Sequence, residues 1–125
     1  MAGTLILIVE DNPRNLKLIR DVLQFHGYEI LVAETGELGV ELARQRQPAL
    51  ILMDVQLPGM DGVAATRLLK ADPATQHIPI IAMTAFAMKG DRERLLDDGF
   101  DDYVSKPIRI KEVPDIIKLH LKSSS

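Results

Sequence analysis

Residues 50 to 62 read Leu50-Ile51-Leu52-Met53-Asp54-Val55-Gln56-Leu57-Pro58-Gly59-Met60-Asp61-Gly62. Four apolar residues run into a carboxylate, then a Pro-Gly turn, then Asp61-Gly62. The run has the length and flanks of a strand buried on both faces. Asp54 therefore stands where that strand leaves the core, which in an open α/β sheet is the edge where ligands bind. A carboxylate there is either a turn-capping group or a reacting one.

The same pattern recurs on both sides. Leu5 to Val9 is a buried strand running into Glu10-Asp11, and Asn12-Pro13 reads as an N-cap followed by Pro at N1. Leu16, Ile19, Val22 and Leu23 make one stripe of a helix that His26-Gly27 closes. Tyr28 to Ala33 is a second strand, and Thr35 caps a helix through about Arg46. Ala49 to Met53 is the third strand. Asp61 caps a helix through about Lys70, which Asp72-Pro73 ends. Ile78 to Met83 is a fourth strand. A helix over Ala87 to Asp98 follows, with Gly99 at its C′ position. Asp102 to Ser105 is a fifth strand, and a last helix reaches about Lys122. Arg109 to Val113 offers no good N-cap and Pro114 has no N–H, so the regular helix is expected to begin near Lys111 or later, or to have a distorted first turn. Ser123 to Ser125 is expected to be a frayed tail.

Five strand-helix units predict an α/β fold with a parallel sheet and helices on both faces. The 125 residues suit a single domain, 1–125, and the 46% hydrophobic and 26% charged contents are those of an ordinary globule. There is no cysteine, which excludes disulfides and thiolate metal sites and fits a cytoplasmic setting. The net charge of −3 and the scattered Lys111, Lys118 and Lys122 build no nucleic-acid footprint. The run Leu5 to Val9 is too short for a signal peptide or membrane span.

Parallel strands place their C-termini along one edge, which brings Glu10-Asp11, Ala33-Glu34, Asp54, Thr84 and Lys106 together. Three bare carboxylates would repel each other strongly. Hard oxygen donors without His or Cys call for Mg²⁺ or Mn²⁺. A cation, a hydroxyl and an ammonium around a carboxylate suit phosphoryl transfer. The cation, Thr84 and Lys106 would each take a phosphoryl oxygen, and Asp54 would be the nucleophile.

These motifs resemble those of bacterial two-component response regulator receiver domains. The resemblance rests on Val9-Glu10-Asp11-Asn12, the Asp54 stretch quoted above, Met83-Thr84-Ala85 and Tyr103-Val104-Ser105-Lys106-Pro107. It spans residues 4 to about 122. It implies the flavodoxin-like receiver fold: a five-stranded parallel sheet in order 2-1-3-4-5 with five helices. Asp54 would be the phospho-acceptor. Asp11, Asp54 and the backbone carbonyl of Gln56 would bind Mg²⁺ directly, and Glu10, where receivers often carry Asp, would act through water. Lys106-Pro107 would be a cis peptide. Thr84 and Tyr103 would be the switch pair, and Phe86 would flank the path of hydrolytic water. A histidine kinase or histidine phosphotransferase would supply the phosphoryl group, docking near Pro13, Arg14, Asn15, Lys17 and Pro107. A downstream protein effector would read the surface from Phe86 to Lys89 and Tyr103.

The run Thr84-Ala85-Phe86-Ala87-Met88-Lys89-Gly90-Asp91 resembles free-standing receivers of cell-division control and hybrid-kinase receivers. Beyond self-phosphorylation and slow self-dephosphorylation, the resemblance implies no enzyme. A Mg²⁺-dependent aspartyl phosphatase would show Asp-x-Asp after the first strand and a cap domain. A flavodoxin-like FMN binder would want a phosphate cradle where Glu10-Asp11 would repel phosphate. A receiver cut from a larger regulator or hybrid kinase would read identically. His26, His77 and His120 fall away from the strand-end rim and are expected to be structural or solvated.

Overall fold

The computed structural model describes residues 3–85 and 89–123. The chain alternates strand and helix: β1 (Leu5–Val9), α1 (Pro13–Phe25), β2 (Glu29–Ala33), α2 (Gly36–Arg46), β3 (Leu50–Asp54), α3 (Gly62–Ala71), β4 (Ile80–Thr84), α4 (Lys89–Asp97), β5 (Asp102–Ser105) and α5 (Glu112–Ser123). All four strand pairings are parallel and the order is β2-β1-β3-β4-β5.

The period of two along each strand divides the core. Leu7 and Val9, Ile51 and Met53, and Ile80 and Ala82 join Val40 and Ala43 of α2, Ala65 and Leu69 of α3, and Leu95 of α4. Ile6 and Ile8, Leu50 and Leu52, and Ile81 and Met83 join Ile19 and Leu23 of α1 and Val113 and Ile117 of α5. Helices thus cover both faces, which is why β1, β3 and β4 have no polar face. β1 pairs with β2 on one side and β3 on the other, so strand order reverses beside β1. That reversal opens the crevice in which doubly wound sheets hold their ligands.

The helix signals act as their chemistry requires. Asn12 Oδ1 accepts from the amides of Arg14 and Asn15, Thr35 Oγ1 from Leu38, and Asp61 Oδ1 from Ala64. Gly99, at φ 108°, ends α4: its amide bonds the Leu96 carbonyl, and that of Phe100 bonds Leu95. α5 starts at Glu112 and holds a buried Pro114 in its first turn, where a missing N–H costs nothing.

Several ends differ from the sequence expectation. β3 runs from Leu50 to Asp54 rather than from Ala49 to Met53, because the ladder continues past the last apolar residue. β4 starts at Ile80, after Pro79, and extends to Thr84. β2 starts at Glu29. α4 is described from Lys89 to Asp97, and the expected helical start at Ala87 lies outside the described residues. Ser123, expected to fray, is the last residue of α5, while Ser124 and Ser125 are outside the described residues.

Candidate functional site

Glu10 follows β1, Asp54 and Thr84 end the neighbouring strands β3 and β4, and Lys106 follows the edge strand β5. Glu10 is completely buried, Asp54 and Thr84 nearly so, and Asp11 is exposed. Carboxylate oxygens of Glu10, Asp11 and Asp54 all lie within 4.8 Å of one another, the one such acidic group among the described residues.

Each buried acid is tied down. Asp54 Oδ1 accepts from the Gln56 amide at 3.0 Å, and Oδ2 accepts from Lys106 Nζ at 2.9 Å. Lys106 Nζ is also 3.6 Å from Glu10 Oε1. Glu10 Oε2 accepts from the Asn12 amide at 3.2 Å, and Oε1 accepts from Asn15 Nδ2 at 3.3 Å. Burial pushes the Glu10 carboxyl up to about 7. A hydrogen bond with Asp54 and the Asp54 charge push the same way, and the Asn12 amide and Lys106 ammonium push against them. Taking the Glu10 carboxyl out of water beside a second negative charge disfavours its charged form.

Lys106 is placed by backbone as well as by charge. Its amide donates to the Thr84 carbonyl at 2.8 Å, and its peptide bond to Pro107 is cis. Gly62 is required by close approach. A Cβ there would collide with the backbone carbonyl of Asp54 and the Cα of Val55. Its own amide donates to the Val55 carbonyl at 3.1 Å, closing the loop that carries Gln56 and the Pro58-Gly59 turn, where Gly59 takes φ 71°. Tyr103, in β5, is partly buried and packs against the core cluster under α2, α3 and α4. Phe86 lies outside the described residues.

The donor set fits a hard divalent cation. It consists of carboxylate oxygens on a rigid strand-end frame, without sulfur or imidazole. Two contacts were not foreseen from sequence. Asn15 bonds Glu10 across five residues, and His120 Nε2 pairs with Asp102 Oδ2 at 2.9 Å, tying α5 to β5 away from the acidic cluster. A polar residue one turn into α1 was the available signal for the first. The second depends on how α5 lies over β5, which spacing does not encode. His26 and His77 are exposed.

A scan of protein families matches the response regulator receiver domain over residues 6–118, and the chain belongs to that family. It is therefore the receiver domain of a two-component signalling system. Among characterised relatives it is 47% identical over 116 residues to the polar-differentiation response regulator DivK of Brucella ovis, covering 93% of this chain and 94% of that protein. Among solved structures it is 40% identical to the receiver domain of the sensor histidine kinase PA1611 from Pseudomonas aeruginosa PAO1, with a TM-score of 0.89 and coverage of 97% and 99%. That structure holds a magnesium ion coordinated in its active site cleft. A putative response regulator from Chloroflexus aurantiacus, 28% identical with a TM-score of 0.91, covers 96% of this chain and 98% of that one. No helix among the described residues is long and apolar enough to cross a membrane.

Proposed function

We propose that Asp54 accepts a phosphoryl group from a phosphohistidine donor and that the chain, as a single receiver unit, passes the signal on through protein contacts. The observation that carries this reading is the 2.9 Å contact of Lys106 Nζ with Asp54 Oδ2, made beside two further carboxylates. An aspartate held at a strand end with one oxygen on an ammonium is oriented for attack. In the transfer, an Asp54 oxygen forms the O–P bond as the N–P bond of the donor breaks and the imidazole nitrogen keeps the electron pair. Lys106 pairs its charge with one phosphoryl oxygen and the Thr84 hydroxyl donates a hydrogen bond to another.

Asp11, Asp54 and the Gln56 carbonyl would hold Mg²⁺, or Mn²⁺, directly, with Glu10 acting through water. When bound, the ion supplies positive charge to the transferring oxygens and relieves repulsion among the three carboxylates. Thr84 and Tyr103 form the switch that carries the change to the α4–β5–α5 side. A histidine kinase or phosphotransferase docks near Pro13, Arg14, Asn15, Lys17 and Pro107. The likeness to the polar-differentiation response regulator DivK supports a role in polar differentiation. We place that role in cell-division control in the cytoplasm, read out by a protein effector.

The test is intact mass after incubation with acetyl phosphate and MgCl₂. One phosphate adduct is expected on the wild type and none on Asp54→Asn. Persistence of the adduct in Asp54→Asn, or turnover of simple phosphomonoesters without an adduct, would overturn the reading.

A further inference from the structure

Glu10 is a longer acid than an aspartate, and both of its oxygens are secured by the start of α1. Oε2 accepts from the Asn12 amide and Oε1 from the Asn15 side chain, at 3.2 and 3.3 Å. The same first turn is organised by Asn12, whose Oδ1 takes the amides of Arg14 and Asn15 at 2.9 and 3.2 Å. A free glutamate side chain has several rotamers to lose on being fixed, and a hydrogen bond at each oxygen removes that freedom in advance.

The donor's chemistry matters as well. An asparagine amide brings no charge, so it orients the carboxylate without competing with a cation for it. Lys106, the other group near Oε1 at 3.6 Å, is closer to Asp54 at 2.9 Å. Asn15 therefore gives Glu10 an orienting partner that does not draw Lys106 away from Asp54.

We propose that Asn15 is a positioning residue of the cation site, holding the Glu10 carboxylate in the orientation that serves hydrated Mg²⁺. The proposal rests on the reading of the acidic cluster as a cation site. Its own content is that Asn15 acts on the cation site through Glu10 alone. An aspartate at position 10, one methylene shorter, would fall short of the Asn15 amide.

Calorimetric titration of MgCl₂ into wild type, Asn15→Ala, Glu10→Asp and the double variant separates the possibilities. Asn15→Ala is expected to weaken Mg²⁺ binding about tenfold, the low end of what removing an outer partner of a metal ligand costs. The same change on the Glu10→Asp background is expected to alter the affinity by less than about twofold, as for uncoupled groups. Alanine is the better helix former in α1, so thermal unfolding in EDTA should not show that helix weakened. Wild-type affinity in Asn15→Ala, or the same loss on both backgrounds, would overturn the positioning role while leaving the cation site intact. Absence of Mg²⁺ binding in the wild type would remove the site and the proposal together.

Discussion

Lys106 Nζ lies 2.9 Å from Asp54 Oδ2, although 52 positions separate the two residues in the chain. β5 brings the lysine to the rim, and the bond of its amide to the Thr84 carbonyl fixes where its side chain starts. The ammonium faces two buried carboxylates, one at 2.9 Å and one at 3.6 Å. Removing it leaves both without their nearest cation.

Lys106→Met is therefore expected to destabilise the metal-free protein. Breaking a buried ion pair costs about 3–5 kcal/mol, and the lysine's residual exposure reduces this to roughly 1–3 kcal/mol, several degrees in melting temperature. Differential scanning calorimetry in EDTA measures the loss, and millimolar Mg²⁺ should restore part of it. An unchanged melting temperature in EDTA would mean that the contact is not a net stabiliser.

The raised Glu10 carboxyl gives the metal-free fold a pH signature. Its folded value of about 7 stands above its ordinary 4.5, so the folded state holds the proton more tightly. The stability from this group is complete below about pH 4.5 and is lost as pH rises through 7. Asp21, lowered by its hydrogen bond from Lys17, and Asp72, lowered by the Ala74 amide, act in the opposite sense near and below 4. Melting temperature in EDTA should fall between pH 5 and 8 on the order of what 3 kcal/mol produces. Glu10→Gln should flatten that slope, and Mg²⁺ affinity should rise over the same range, because the ion must displace the proton.

Gly62→Ala tests the close approach under the site. The added methyl group meets the Asp54 carbonyl and the Val55 backbone, neither of which can rotate away. Overpacking against backbone is expected to cost about 1–3 kcal/mol and to shift Asp54. Urea unfolding should show the loss, and the phosphate adduct should form more slowly. A variant with wild-type stability and wild-type adduct formation would show that the loop yields freely.

The opposite edge of the sheet supplies a contrast. Lys70 Nζ donates to the Gln76 and Ile78 carbonyls at 3.3 and 2.8 Å and to Asp101 Oδ2 at 2.9 Å, and Asp101 in turn accepts from the Ile80 amide. Lys70→Met is expected to cost about 1–3 kcal/mol by leaving these acceptors short of a donor. Its adduct yield at a temperature where it remains folded should match the wild type. Thermal melts and intact mass on the same sample decide this.

Much of the architecture was readable from the chain because local chemistry and tertiary packing agree. The caps at Asn12, Thr35 and Asp61, the stop at Gly99 and the late start of α5 before Pro114 are properties of a few neighbouring residues. Strand ends were misplaced by one or two residues because they depend on the adjacent strand. Val55 donates to the Met83 carbonyl, which carries the ladder past Asp54, and nothing within residues 49–54 reveals that partner. The strand order came from the motifs' resemblance to receivers, since periodicity does not say which strands pair. The acids, hydroxyl and lysine were legible because strand ends of a parallel sheet must converge. The Asn15–Glu10 and His120–Asp102 contacts were not, because each depends on how a helix turns over its strand.

The acidic pocket draws on β1, β3, β4 and β5, and its lysine arrives last, behind a strand that pairs only with β4. No stretch of chain short of residue 106 contains the whole site. A nascent chain still lacking β5, or one clipped before it, carries Asp54 but not the ammonium beside it. The Lys106–Asp54 pairing therefore forms only once β5 has docked on β4, and a chain ending before residue 106 would keep the proposed nucleophile without its ammonium partner.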